Sequence, residues 1–269
     1  MYGTQTMTTA DDDAPIRIAV HDKIMDMALN RPHKKNALSD EMYLTLIAGL
    51  RQAQADDDVH VIVLRAMGDC FCAGNDLHAF RNRKPGENPS PGLLFIEALA
   101  AVEKPILAAV NGPAVGIGTT MLLHCDLVYA GMGATFQTPF ARLGLCPEGA
   151  SSFLLPQLIG YPRAAEMLLL GESISAHMAW EFGLINNVFR DDDLLSEVFA
   201  QARKLAQQPP ASVCLTKRLL KASRTKTVQE TIASEGRHFA ERLGSTEFAA
   251  AFTAFFNREP SVSPSKPGM

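Results

Sequence analysis

The run Pro105-Ile-Leu-Ala-Ala-Val110, continued by Asn111-Gly112-Pro113-Ala114-Val115-Gly116-Ile117-Gly118, decides how this chain folds. Its first half is apolar without alternation, which reads as a strand buried on both faces. Asn111-Gly112 turns the chain. Gly116-Ile117-Gly118 then opens a helix through His124, and Asp126 to Ala130 reads as the next strand. Strand, helix and strand in this order point to an α/β core with parallel strands.

The same plan extends on both sides. Ile16 to Val20 and Ile24 to Asn30 read as two strands joined near His21-Asp22-Lys23. A helix follows Ser39, a good N-cap. Asp40 and Glu41 suit its positive end, and Met42, Leu46, Leu50 and Ala53 form one apolar stripe. Asp56-Asp57-Asp58 stops it, Val59 to Ala66 is a buried strand, and Leu93 to Val102 is helical. Beyond about residue 150 the pattern turns helical, with segments near 150–159, 162–170, 175–182, 193–207, 209–222, 227–243 and 245–257. Only Leu184 to Phe189 interrupts them as a strand. The expected organisation is a disordered arm over 1–15, an α/β core over 16–190, a helical region over 191–258 and a flexible Pro- and Ser-rich tail over 259–269.

Composition excludes several classes. The chain has 269 residues, 47% hydrophobic and 20% charged, as in an ordinary globular protein. Its 25 basic residues do not outnumber its 29 acidic ones, which argues against nucleic acid as a partner. No apolar run reaches the roughly 20 residues of a membrane span. Cys70, Cys72, Cys125, Cys146 and Cys214 are odd in number, and Cys70-x-Cys72 lacks the spacer of zinc and redox motifs, so neither disulfides nor a metal is expected. The N-terminus has no basic-then-apolar leader, and Ser265-Lys-Pro-Gly-Met269 lacks a peroxisomal Ser-Lys-Leu address. Cytoplasm is the expected compartment.

Two loops carry the candidate chemistry. Phe71-Cys72-Ala73-Gly74-Asn75-Asp76-Leu77 and Asn111 to Gly118 each place glycine after a buried strand. Such turns bring backbone N–H groups close to a ligand, and the second also opens a helix, whose N-terminus favours negative charge. Two of them could converge on one oxyanion, although two tight turns would read the same way. Neither is a Walker or dinucleotide fingerprint.

These loops, with Lys104-Pro105, Cys125-Asp126-Leu127, Leu170-Gly171-Glu172-x-Ile174-Ser175-Ala176 and Gly183-Leu184-Ile185, resemble the enoyl-CoA hydratase/isomerase (crotonase) superfamily. The landmarks run in order from about Ile16 to Phe256. The resemblance implies a crotonase (ClpP-like) spiral of ββα units with a helical C-terminal trimerisation region. It also implies an acyl-coenzyme A thioester substrate, no other cofactor, no membrane partner, and a homotrimer or a dimer of trimers. In the family two backbone N–H groups hold the thioester oxygen, here from Asn75 and, by register counted back from Asp126, Ile117. Lys34 or Lys35 would meet coenzyme A phosphate, while Ala37, Ala73, Asp76 and Leu77 occupy adenine- and pantetheine-side positions.

The two glutamates of the hydratases fall on Thr120 and Phe140 in this chain, so neither acid is present. Hydration needs groups to activate water and deliver a proton. The stretch Thr138-Pro139-Phe140, then Pro147-Glu148-Gly149 and Ser151-Ser152, is instead similar to the peroxisomal-type Δ3,Δ2-enoyl-CoA isomerases, as is Asn75-Asp76-Leu77. By that resemblance Glu148 is the catalytic base. The expected function is an isomerase of unsaturated fatty acid metabolism, with hydration, hydrolysis or decarboxylation of a thioester as the alternative. A Ser/His/Asp hydrolase built on His124, Asp126 and Ser151 or Ser152 lacks a Gly-x-Ser-x-Gly elbow. Cys72 reads as a small core residue.

Overall fold

The computed structural model describes residues 13–76 and 89–256. Most of the expected arm, the expected tail and Leu77 lie outside the described residues.

A six-stranded sheet has the spatial order β1 (Ile16–His21), β2 (Ile24–Leu29), β3 (Val61–Ala66), β4 (Ile106–Val110), β6 (Leu127–Gly131) and β9 (Asn187–Phe189). β1 and β2 form a hairpin through Asp22 and Lys23, both at positive φ (51° and 64°), the geometry of a two-residue turn that matches strand twist. Every later neighbour is parallel. The unbroken apolar runs are explained by two covered faces. Ile62 and Leu64 of β3 enter the larger core with Met42, Leu46 and Leu50 of helix α1 (Asp40–Ala55) and Phe95 and Leu99 of α2 (Pro91–Ala101). Val61 and Val63, on the opposite face, pack with Leu107 and Ala109 under Leu194, Val198 and Ala202 of a later helix, Leu194–Ala206. The single acid of β2, Asp26, is buried and held by the Arg65 guanidinium at 2.8 Å.

A second, three-stranded sheet contains β5 (Pro113–Val115), β7 (Thr135–Gln137) and β8 (Ile174–Ser175). The sequence reading did not foresee these strands, because each is two or three residues long and lies among Gly, Pro and Ser. The expected strand 184–189 shortens to β9; Leu184 and Ile185 are buried in the core without pairing. Between β5 and β6, α3 (Ile117–Thr120) continues as a 3-10 turn through His124. The remaining helices are α4 (Ser151–Ile159), α5 (Tyr161–Ala165), α6 (Ala176–Glu181), α7 (Leu194–Ala206), α8 (Pro210–Ala222), α9 (Thr225–Leu243) and α10 (Thr246–Phe256). Asp126, at the mouth of β6, accepts from Ile106 N and pairs with Lys217 and Lys221 of α8 at 2.7 and 3.2 Å, which ties that helix to the sheet.

Candidate active site

The first glycine loop is stitched between two neighbours. Cys72 bridges Ala114 of β5, with Cys72 N donating to Pro113 O and Val115 N donating to Cys72 O at 2.9 Å. On its other side Leu38 N donates to Gly74 O and Asp76 N donates to Leu38 O. In a parallel bridge of this kind the two flanking residues use their groups on the partner, so the N–H of Asn75 faces the opposite side. The Asn75 side chain is turned away as well. Its Oδ1 accepts from the Tyr43 hydroxyl of α1 at 2.6 Å.

The second loop delivers another free amide. Gly116 N donates to Gln137 O, whereas Ile117 opens α3 and has no residue behind it to accept its N–H. Among the described residues neither Asn75 N nor Ile117 N has an acceptor. The two loops approach closely because residue 118 is glycine: a Cβ there would stand 2.5 Å from Cys72 O. Asn75 and Ile117 line one cavity of about 710 Å³, together with Ala73, Phe140, Leu145, Phe239 and Ala251. Phe140, which the resemblance set at a hydratase acid position, meets Phe239 edge to face at 6.5 Å. The Ile117 side chain is itself buried in the core.

Glu148 meets α3 at Thr120. The Thr120 hydroxyl donates to its Oε1, one turn beyond the Ile117 amide. Glu148 does not line the 710 Å³ cavity; it joins α3, whose first residue Ile117 does, through Thr120. Burial pushes its carboxyl up to about 8, the nearby Glu235 charge adds to the rise, and the Thr120 hydroxyl opposes it. The turn that carries it is tightly specified. Gly149 and Ala150 both have positive φ (69° and 56°), His124 Nε2 donates to Gly149 O at 2.8 Å, and Glu235 of α9 accepts from Ala150 N and Ser152 N at 2.6 and 2.9 Å.

The residues expected at the nucleotide end also come together. Lys34 and Lys35 are exposed at the end of a 3-10 turn, and Lys35 O accepts from Ala73 N. Asp76 pairs with Arg31 Nη1 at 2.7 Å, and the same nitrogen donates to Ala37 O. Asp76 therefore positions Arg31, and Arg31 supports the loop. Asn36, fully buried, donates to Met67 O and Cys70 O and fixes the base of both segments.

The imagined hydrolase triad is not assembled. Asp126 faces lysines, and His124 faces Gly149 O, with burial holding the imidazole near 4 and so neutral. Burial pushes the Cys72 thiol up to about 12, which removes it as a nucleophile. No group of His, Cys, Asp and Glu among the described residues could hold a metal.

Glu235 and Tyr43 were missed in the sequence. The available signal for Glu235 was an acid on the stripe Val228, Ile232, Glu235, Phe239 of an otherwise amphipathic helix, whose first three members are buried. Chemically, two free amides can hold a developing oxyanion, and a carboxyl with its pKa lifted toward neutrality can carry a proton.

A family model for enoyl-CoA hydratase/isomerase matches residues 19–262. Enoyl-CoA delta isomerase 2 of Rattus norvegicus is 35% identical over 259 residues, covering 94% of this chain and 66% of that protein. The chain thus spans just under two thirds of the rat relative's length. Enoyl-CoA delta isomerase 3, peroxisomal, of Mus musculus is 34% identical, covering 93% of this chain and 80% of that one. 4-Chlorobenzoyl coenzyme A dehalogenase-1 of an Arthrobacter species is 37% identical, covering 87% and 91%. Among solved structures, an enoyl-CoA hydratase/isomerase from Pseudoalteromonas atlantica superposes with a TM-score of 0.87 at 40% identity, covering 92% and 99%. Similar in sequence and fold along almost its whole length, the chain belongs to the enoyl-CoA hydratase/isomerase family, the crotonase superfamily.

Proposed function

We propose that this enzyme moves the double bond of a 3-enoyl-CoA to give the 2-enoyl-CoA, a reaction of unsaturated fatty acid metabolism. Glu148 as carboxylate takes a proton from C2. The electron pair flows into the thioester carbonyl, and the N–H groups of Asn75 and Ile117 hold the resulting dienolate oxygen. The protonated Glu148 then returns the proton at C4, and the carboxylate is restored. Removing one donor of such a hole costs on the order of 10²–10³ in rate.

One observation carries this reading. A part-buried carboxyl, lifted to about 8, accepts from Thr120 one helical turn beyond an unpaired amide, while by the family resemblance Thr120 and Phe140 occupy both hydratase acid positions. One proton carrier suffices for a shift of the double bond and is too few for hydration. Coenzyme A arrives as part of the substrate. Lys34 or Lys35 meets its phosphate, Ala37, Ala73 and Asp76 flank its adenine and pantetheine, and Phe140, Leu145 and Phe239 face the acyl chain. A homotrimer, or a dimer of trimers, is supported by the exposed Leu215, Leu219 and Leu220 of α8. Five free cysteines support a reducing, cytoplasmic location, although the mouse relative is named peroxisomal.

The test is a product profile. Incubation with 3-enoyl-CoA should raise the absorbance of the conjugated thioester, and incubation with 2-enoyl-CoA should yield no 3-hydroxyacyl-CoA. Hydration of 2-enoyl-CoA without isomerisation of the 3-enoyl thioester would overturn the proposal.

A further inference from the structure

Helix α4 begins without a cap of its own. Its N-cap residue is Ala150, whose side chain can accept nothing and whose φ of 56° is strained for a residue with a Cβ. Strain of this kind persists only where the surroundings over-determine it. The missing acceptor comes from 85 residues further along the chain, where Glu235 Oε2 takes Ala150 N at 2.6 Å and Oε1 takes Ser152 N at 2.9 Å. A carboxylate at a helix N-terminus also complements the helix dipole. Glu235 is nearly inaccessible, 7% exposed, in line with the buried Val228 and Ile232. Its helix lies close to α2, where a Cβ on Gly236 would stand 3.1 Å from the Leu93 side chain. The carboxylate therefore has little freedom to leave the turn. That turn is Pro147-Glu148-Gly149-Ala150.

We propose that Glu235 is a positioning residue, clamping the left-handed turn at Gly149 and Ala150 so that the Glu148 carboxyl is presented to Thr120 and the wall of the oxyanion site. The kinetic part of this proposal rests on the isomerase reading above; the clamp itself does not. Glu235 acts through Glu148 and touches no substrate. It works on the turn by hydrogen bonding and on the carboxyl by charge, since its own negative charge opposes ionisation of Glu148. Ionisable groups around the clamp include His124, whose Nε2 donates to Gly149 O, Cys146 on the preceding loop, and Glu230 and His238 on α9, the last three sharing one cleft with Glu235. Arg242 acts on Cys146 from the same helix.

Two variants separate the hydrogen bonds from the charge. Glu235→Gln keeps the shape, loses the charge and offers one acceptor to two N–H groups. Glu235→Asp keeps the charge and loses reach. A misplacement of about 1 Å can cost on the order of 10²-fold in rate. Both variants should lower kcat by at least about tenfold with KM little changed, as expected of a misplaced catalytic group. The titration midpoint of Glu148, read by infrared difference spectroscopy on the substrate-free protein, should fall in Glu235→Gln and stay nearer wild type in Glu235→Asp. If Glu235→Gln lowers the melting temperature but leaves both kcat and the Glu148 midpoint unchanged, Glu235 serves the fold alone and the proposal fails. If the wild type shows no isomerase activity, amide hydrogen exchange still decides the clamp: faster exchange at Ala150 N and Ser152 N in both variants supports it, and unchanged exchange at both refutes it.

Discussion

The two halves of the site are built in opposite ways. The proposed oxyanion side, Asn75 and Ile117, is made of main chain, and the Asn75 loop is fixed by β-bridges within the α/β core. The acid side, Glu148, is one side chain on a strained turn, held by His124 and by Glu235 from the C-terminal helices. The difference teaches where each half is vulnerable. Backbone donors tolerate changes of side chain but not of loop spacing. A side-chain base tolerates neither its own replacement nor the loss of what aims it.

The largest effect on the first half should come from Gly118→Ala. Its methyl group would stand 2.5 Å from Cys72 O and force the two loops apart. Loss of one donor predicts a fall in kcat of roughly 10²–10³. Steady-state kinetics beside the melting temperature checks it. Ile117→Val, which alters the side chain and keeps the amide, should hold kcat within about threefold, because only the main chain donates. A large loss there would break the contrast.

The acid side should show itself in pH dependence. In the proposed reaction Glu148 acts as carboxylate, so kcat/KM should climb with pH and level off above about 8. Stability should run the other way. The folded state holds this proton more strongly than the unfolded chain, so the native protein loses stability as pH rises from the ordinary carboxylate range to about 8, and no further above it. Glu148→Gln should remove that slope and melt higher than wild type at pH 8.5, by roughly 2–8 °C. Calorimetry across pH measures it.

Smaller effects belong to the supports. Lys34→Ala together with Lys35→Ala should raise KM for the thioester by roughly tenfold and leave kcat alone, as expected of lost uniform binding. Tyr43→Phe deletes the bond to Asn75 Oδ1, worth about 1 kcal/mol, and should cost no more than a few-fold in kcat/KM.

Much of the fold was legible in local pattern. β2, β3 and β4 announce themselves because both faces are buried, and α1 because Ser39 caps Met42 N. β5, β7 and β8 were not legible; a strand of two or three residues has no period to read. The glycine loops stood out from the residues themselves, but two tight turns read the same way, and only the family resemblance singled out Asn75 and Ile117. Glu148 stood out only through the family resemblance, since one acid after a proline is otherwise a surface charge. Glu235 was hidden by distance: its partner amides lie 83 and 85 residues earlier, and backbone N–H groups leave no trace in a sequence.

The central claim is that one carboxyl carries the proton. Its most direct test is the turnover of a 3-enoyl-CoA by wild type and by Glu148→Gln, with folding of the variant checked by its melting temperature. A loss of roughly 10²–10⁴ in kcat with a folded variant is predicted. Turnover of the variant at the wild-type rate would contradict it.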